Sequence, residues 1–202
     1  MALSRIIDDL RENLSKPLPG WPAQSTLMPE GRHRDGIPED LQPASVLIAL
    51  YPHNDEWHFP LIKRSVDGFA HSGQIALPGG RQEGTESDIE TALREAEEEI
   101  DLKAEAVEIL GLTSPLPIPV SRYLVQPVVG YIHSRPILTP DAREVEQIFS
   151  VSLSTLRNIE SQFETHHFAG RGWKIPYFEI NGHKVWGATA MILSEFKEII
   201  SK

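Results

Sequence analysis

The chain has 202 residues, 40% of them hydrophobic, an ordinary proportion for a single globular core with at most an appendage. A formal net charge of -10 leaves no basic excess to neutralise a run of phosphates, which argues against a nucleic-acid or membrane-surface partner. There is no cysteine, so disulfides and thiolate zinc sites are excluded; there is also no signal core and no apolar run of membrane-spanning length, so a soluble cytoplasmic protein is expected.

Residues 3–14 set Leu3, Ile6, Ile7, Leu10 and Leu14 on one helical face and stop before Pro17, predicting a helix for docking or for homodimer formation. Residues 15–43 carry Pro17, Pro19, Pro22, Pro29, Pro38 and Pro43 with little periodicity, and read as a connector wrapped on the surface. The expected division is therefore a helix and connector over 1–43 and the functional domain over 44–202. Residues 44–51 form a continuous apolar run suited to a central buried strand, and 56–64 a second strand across the Pro52-His53-Asn54-Asp55 turn.

A Gly79-Gly80 turn then feeds an acidic helix. At about 100° per residue, Ile89, Leu93, Ala96 and Ile100 make an apolar stripe, while Glu95, Glu98 and Glu99 share the other face with Asp88. Carboxylates three and four residues apart repel by a few tenths of a kcal/mol per pair. Either this is a solvated acidic face, or a hard divalent cation such as Mg2+ or Mn2+ offsets the repulsion through oxygen ligands.

Downstream, 105–113 and 122–132 read as strands separated by a stiff loop with Pro115, Pro117 and Pro119 that borders a pocket. Residues 141–149 are predicted to start a helix or helical loop at a Pro-Asp cap. Two or three antiparallel strands come next over 161–186, turning at Gly170-Arg171-Gly172 and Asn181-Gly182. A terminal helix then carries Ala188, Met191, Ile192, Phe196 and Ile199 on one face.

The spacing Gly80, five residues, Glu86, seven residues, then Arg94-Glu95-Ala96-Glu97-Glu98-Glu99-Ile100-Asp101-Leu102 closely resembles the box of the Nudix hydrolases, G-x5-E-x7-R-E-U-x-E-E-x-G-U. The one departure is Asp101, where the pattern has the glycine that ends the helix; Asp tolerates that left-handed position better than most residues. The resemblance implies an α/β/α sandwich with a mixed β-sheet. It also implies a hydrolase that cleaves a nucleoside diphosphate linked to another group with Mg2+ or Mn2+. Glu95, Glu98 and Glu99 would be the metal carboxylates, with a backbone carbonyl of Gly79 or Gly80 as a further oxygen. Arg94 would hold those carboxylates, and Glu86 would support a metal-bound water or a second metal. Glu144, with Glu146 as second choice, would be the glutamate outside the box that joins the metal site or activates water.

Leu61 to Gly80 is similar to the second signature of the coenzyme A pyrophosphatase branch, L-L-T-x-R-S-x3-R-x3-G-x3-F-P-G-G. Arg64, Ser65, Gly73, Pro78, Gly79 and Gly80 match it. Ile62 replaces the threonine, Leu77 the phenylalanine, and Phe69 the second arginine, removing one bidentate partner for a phosphate-rich substrate. This likeness implies a small phosphorylated substrate, coenzyme A or an acyl derivative, bound by Lys63, Arg64, Ser65, His71, Gly79, Gly80 and Arg81. Two rivals stand beside it: a Nudix enzyme for nucleotide sugars, dinucleotides or nucleoside triphosphates, and a non-catalytic nucleotide-binding regulatory module.

Overall fold

The structure is a computed structural model and describes residues 2–31, 37, 38, 40–66, 73–168 and 171–202. Strand β1 (Gln42–His53) and strand β2 (Glu56–Arg64) form the expected hairpin, in which Asn54 and Asp55 take positive φ. β1 is the spine of a mixed sheet. It runs parallel to β7 (Tyr123–Tyr131) and antiparallel to the short β4 (Gly79–Arg81), while β7 pairs antiparallel with β5 (Glu108–Leu112) and β6 (Leu116–Ile118). On its other flank β2 pairs antiparallel with β3 (Ile75–Ala76) and β8 (Val145–Ser152).

Because side chains alternate along a strand, a continuously apolar β1 must be covered on both faces. Leu47, Ala49 and Tyr51 pack towards Ala92, Ala96 and Ile100 of helix α3 (Asp88–Ile100). Ile48 and Leu50 belong instead to the core under helices α1 (Ala2–Ser15) and α5 (Gly187–Ile200). The result is the α/β/α sandwich with a mixed sheet that the sequence implies. No helix among the described residues is long and apolar enough to cross a membrane.

Helix α1 docks within its own chain, burying Ile7, Leu10 and Leu14 against β5 and α5, and the Trp57 indole donates to the Leu3 carbonyl at 2.9 Å. The connector is more than a surface wrap. It folds into α2 (Trp21–Gln24) and an adjoining 3-10 turn, and buried Gln24 donates to Glu195 at 2.8 Å. Glu195, fully buried in α5, also accepts from the backbone N–H of Gly20 and of Ser114. A buried carboxylate without its donors is costly, so this knot fixes the connector to α5 and to the loop after β5.

Residues 141–149 do not begin a helix. Asp141 closes one turn, accepting from the Arg143 N–H at 2.9 Å, and β8 then runs along β2. The cap signal at Asp141 loses to the edge of β2, which offers Val145 and Val151 buried positions. Beyond a short helix α4 (Leu153–Asn158), strands β9 (Gln162–Phe168), β10 (Arg171–Ile180) and β11 (His183–Trp186) form the expected antiparallel unit. Asn181 and Gly182 turn with positive φ, and Gly170 lies outside the described residues.

Helix α3 starts with a capping box, Ser87 accepting from the Glu90 N–H while Glu90 accepts from that of Ser87. It ends at Asp101 with φ 55 and ψ 31, the left-handed conformation expected there. Asp101→Gly relieves that backbone but loses an exposed ion pair with Lys103 at 2.8 Å. The expected outcome is unchanged turnover and a stability change between zero and about +1 kcal/mol in urea unfolding. A large fall in turnover would make Asp101 part of the site.

Candidate active site

The antiparallel pairing of β4 with β1 places Gly79 and Gly80 against Glu95 and Glu99 in the C-terminal half of α3. Gly79 must be glycine for steric reasons, and a side chain at Gly80 would displace the Glu95 carboxylate. Gly79 has φ 153, and a Cβ there would lie 2.3 Å from the Ser45 carbonyl oxygen; at Gly80 it would lie 2.4 Å from the Glu95 carboxylate. The cradle thus exists so that backbone and carboxylate can meet.

Arg94 organises the box. Its Nε donates to Glu86 at 2.7 Å, one terminal nitrogen donates to Glu95 at 2.9 Å and Glu98 at 3.0 Å, and the other donates to the Arg81 carbonyl at 3.0 Å and again to Glu86. Glu86 accepts further from the Glu83 N–H and Thr91, and Arg94 first among these partners holds its carboxyl down at about 2. Glu95 is different: burial, opposed by Arg94 and reinforced by Glu98 and Glu144, raises its carboxyl above the ordinary range.

Glu99 is the most deeply placed of the acids of the box, 1% exposed. It accepts from Arg64 at 3.0 Å and from the Gly79 N–H at 2.9 Å. Burial nevertheless pushes it up to about 7, against the pull of Gly79 and Arg64 and with help from the nearby charges of Glu95 and Glu144. The structure therefore unites Arg64, Gly79, Gly80, Arg81, Glu95 and Glu99 around one cleft of about 410 Å³. Glu144 stands at its side, 4.0 Å from Arg64. Glu98 and Glu86 reach this cleft only through Arg94, both facing the exposed hollow on the other side of it. Lys63 is engaged by Glu146 at 2.6 Å, and Ser65 accompanies Glu144 through a backbone hydrogen bond. His71 and Phe69 lie outside the described residues.

The apolar half of the cleft is what sequence reasoning missed. Val46, Ile118, Val120, Tyr123, Trp186 and Ile192 line it. Such residues on strands and helices read as core; only the proline loop pointed to a pocket wall.

Among the described residues no three acidic or histidine side chains stand together as a ready ion site. The donor chemistry nonetheless fits a hard cation. Glu95 and Glu99 present only oxygen, the charge of Glu95 helps to raise the pKa of Glu99, and the glycine cradle brings backbone beside them.

A family model described as the NUDIX domain matches residues 41–169. The chain belongs to the Nudix hydrolase family. A relative from Pectobacterium atrosepticum, named as the uncharacterized Nudix hydrolase NudL, is 34% identical over 179 residues, covering 82% of this chain and 89% of that protein. The human mitochondrial coenzyme A diphosphatase NUDT8 is 32% identical over 126 residues, 60% of this chain and 53% of that protein, so the match spans about half of its length. Among solved structures, the Nudix hydrolase RenU of M. smegmatis superposes with a TM-score of 0.55 at 16% identity, over 87% of this chain and 93% of that one, a likeness of fold. As a Nudix hydrolase the chain is an enzyme of the pyrophosphohydrolase type, and the matched stretch includes α3.

Proposed function

We propose that this Nudix hydrolase cleaves the diphosphate linkage of coenzyme A or an acyl-coenzyme A, releasing adenosine 3′,5′-bisphosphate and a phosphopantetheine species. The observation that carries the reading is the mixed lining of the cleft. Glu95, Glu99, Arg64 and Arg81 line it together with apolar Val46, Ile118, Tyr123 and Trp186, which suits a substrate with a charged diphosphate and a long weakly polar arm. The relative named as a coenzyme A diphosphatase supports it.

In this reading Glu95, Glu98, Glu99 and the Gly79 carbonyl would hold Mg2+ or Mn2+. The bound ion supplies Lewis acidity and neutralises charge on the diphosphate. Arg94 keeps Glu95 and Glu98 in fixed rotamers and anchors Glu86, so the acids are positioned before substrate arrives. Arg64 restrains Glu99 and, beside Ser65, faces the substrate phosphates with Arg81. Glu144, half exposed at the cleft edge, accepts the proton of the water that attacks phosphorus as the anhydride P–O bond breaks.

Steady-state kinetics with Mg2+ and with Mn2+ over coenzyme A, dephospho-coenzyme A, nucleotide sugars, dinucleotides and nucleoside triphosphates test this. Coenzyme A is expected to have the highest kcat/KM. Removing its 3′-phosphate should raise KM by roughly 10- to 100-fold, the worth of a charge-assisted hydrogen bond. A higher kcat/KM for nucleotide sugars would replace this reading by a broader diphosphatase, and no turnover of any compound would leave a regulatory nucleotide-binding module.

A further inference from the structure

Behind the catalytic cleft lies a second cavity of about 220 Å³. Trp21, Met28 and Ile37 of the N-terminal connector wall one side, Leu116 and Ile118 of the short strand β6, which forms where a proline loop is expected, wall another, and Met191 of α5 closes it. The described side chains lining it are apolar or absent, the Trp21 indole N–H apart. It adjoins the cleft, since Ile118, Val120 and Ala188 line both.

We infer that this chamber receives an aliphatic tail carried on the far end of the substrate, and that Trp21, Met28 and Ile37 of the connector make it a specificity element of the enzyme. The inference rests on the coenzyme A reading of the neighbouring cleft. Two observations select the occupant. Among its described lining residues the chamber has no charged side chain to pair with a phosphate. Its size, scaled from an apolar cavity of about 150 Å³ that accommodates benzene, suits a chain of roughly eight carbons. The Glu195 knot to Gly20, Gln24 and Ser114 explains how an irregular connector can form a fixed wall: it pins both the connector and the loop leading to β6 on α5.

The test is a series of acyl-coenzyme A thioesters from acetyl to dodecanoyl. With wild type, kcat/KM is expected to rise about two- to fourfold per methylene as each is buried, up to roughly eight carbons, and then level or fall. Met28→Trp fills the chamber, and the ratio of octanoyl to acetyl kcat/KM should drop towards one; Ile37→Trp serves the same purpose should the first variant not fold. A flat wild-type series, or an unchanged ratio in a folded variant, overturns the inference while leaving coenzyme A hydrolysis standing. If no coenzyme A compound is cleaved, the catalytic reading fails, and equilibrium titration in EDTA decides the chamber separately. Tighter binding of octanoyl-coenzyme A than of coenzyme A, lost in the filled variant, supports it; equal binding overturns it. Weakened adenosine 3′,5′-bisphosphate binding in Met28→Trp, without any chain-length effect, would assign the chamber to the base and sink the proposal.

Discussion

Arg94→Ala is expected to lower turnover by at least ~100-fold and to destabilise the protein by about 2–3 kcal/mol, the largest combined effect of a single side chain outside the carboxylates proposed to hold the metal. Arg94 alone connects Glu86, Glu95 and Glu98, and it ties the strand-to-helix loop to α3 through the Arg81 carbonyl. Removing it leaves three acids facing one another with no cation between them. Breaking a fully buried pair costs about 3–5 kcal/mol; Arg94 is 24% exposed, so solvent screens part of that loss. Arg94→Lys should regain part of the stability but little of the turnover, because an ammonium cannot bond Glu86 and Glu95 in one rigid plane. Urea unfolding and steady-state kinetics on both variants decide it. An alanine variant as stable as wild type would show that the network carries no mechanical role.

What could be read from the sequence was what local geometry decides. The α3 stripe of Ala96 and Ile100, the reach of Arg94 to Glu98 and the left-handed Asp101 arise from helix periodicity and capping, so they were predictable from neighbours in the chain. The misread segment at 141–149 shows the limit: Asp141 does make its local turn, but the edge of β2, some eighty residues earlier in the chain, draws the next residues into a strand. Glu195 sits in the middle of an apolar helix face, and nothing near it in sequence announces donors at Gly20, Gln24 and Ser114. The same holds for the functional asymmetry of the acidic face. Its spacing shows Glu95, Glu98 and Glu99 as equivalents, yet β4 and Arg64 bury Glu99 and leave Glu98 at the rim, because burial depends on what the fold brings over the helix.

That asymmetry yields the last prediction. Glu98→Gln and Glu99→Gln should each lower turnover by at least ~100-fold if both serve the metal site, yet their effects on stability should differ. Glu98 is 60% exposed, so solvent screens its pair with Arg94 and its replacement should change stability little. Glu99 titrates near 4.5 when unfolded and at about 7 in the fold, raised by burial. Below pH 4.5 it is protonated in both states and costs nothing. Between 4.5 and 7 the unfolded chain ionises first, so wild type loses up to about 3 kcal/mol of stability as pH rises, and the full cost remains above 7. Glu86 and Asp141, both held near 2, have already delivered their stabilisation by pH 5, and His58, lowered by burial, pulls mildly the other way in the same window. In Glu99→Gln the amide still accepts from Gly79 but turns its NH2 towards Arg64, an offset independent of pH, so the difference in slope isolates the carboxylate. Urea unfolding in EDTA at pH 5 and pH 8 should therefore show wild type losing about 2.5 kcal/mol relative to Glu99→Gln over that interval. Adding Mg2+ should stabilise wild type more at pH 8 than at pH 5, since the ligand must be ionised, and should stabilise Glu99→Gln little at either. Parallel pH profiles for wild type and Glu99→Gln would mean that the buried carboxylate titrates as it does in water, and that Arg64 and Gly79 fully offset its burial.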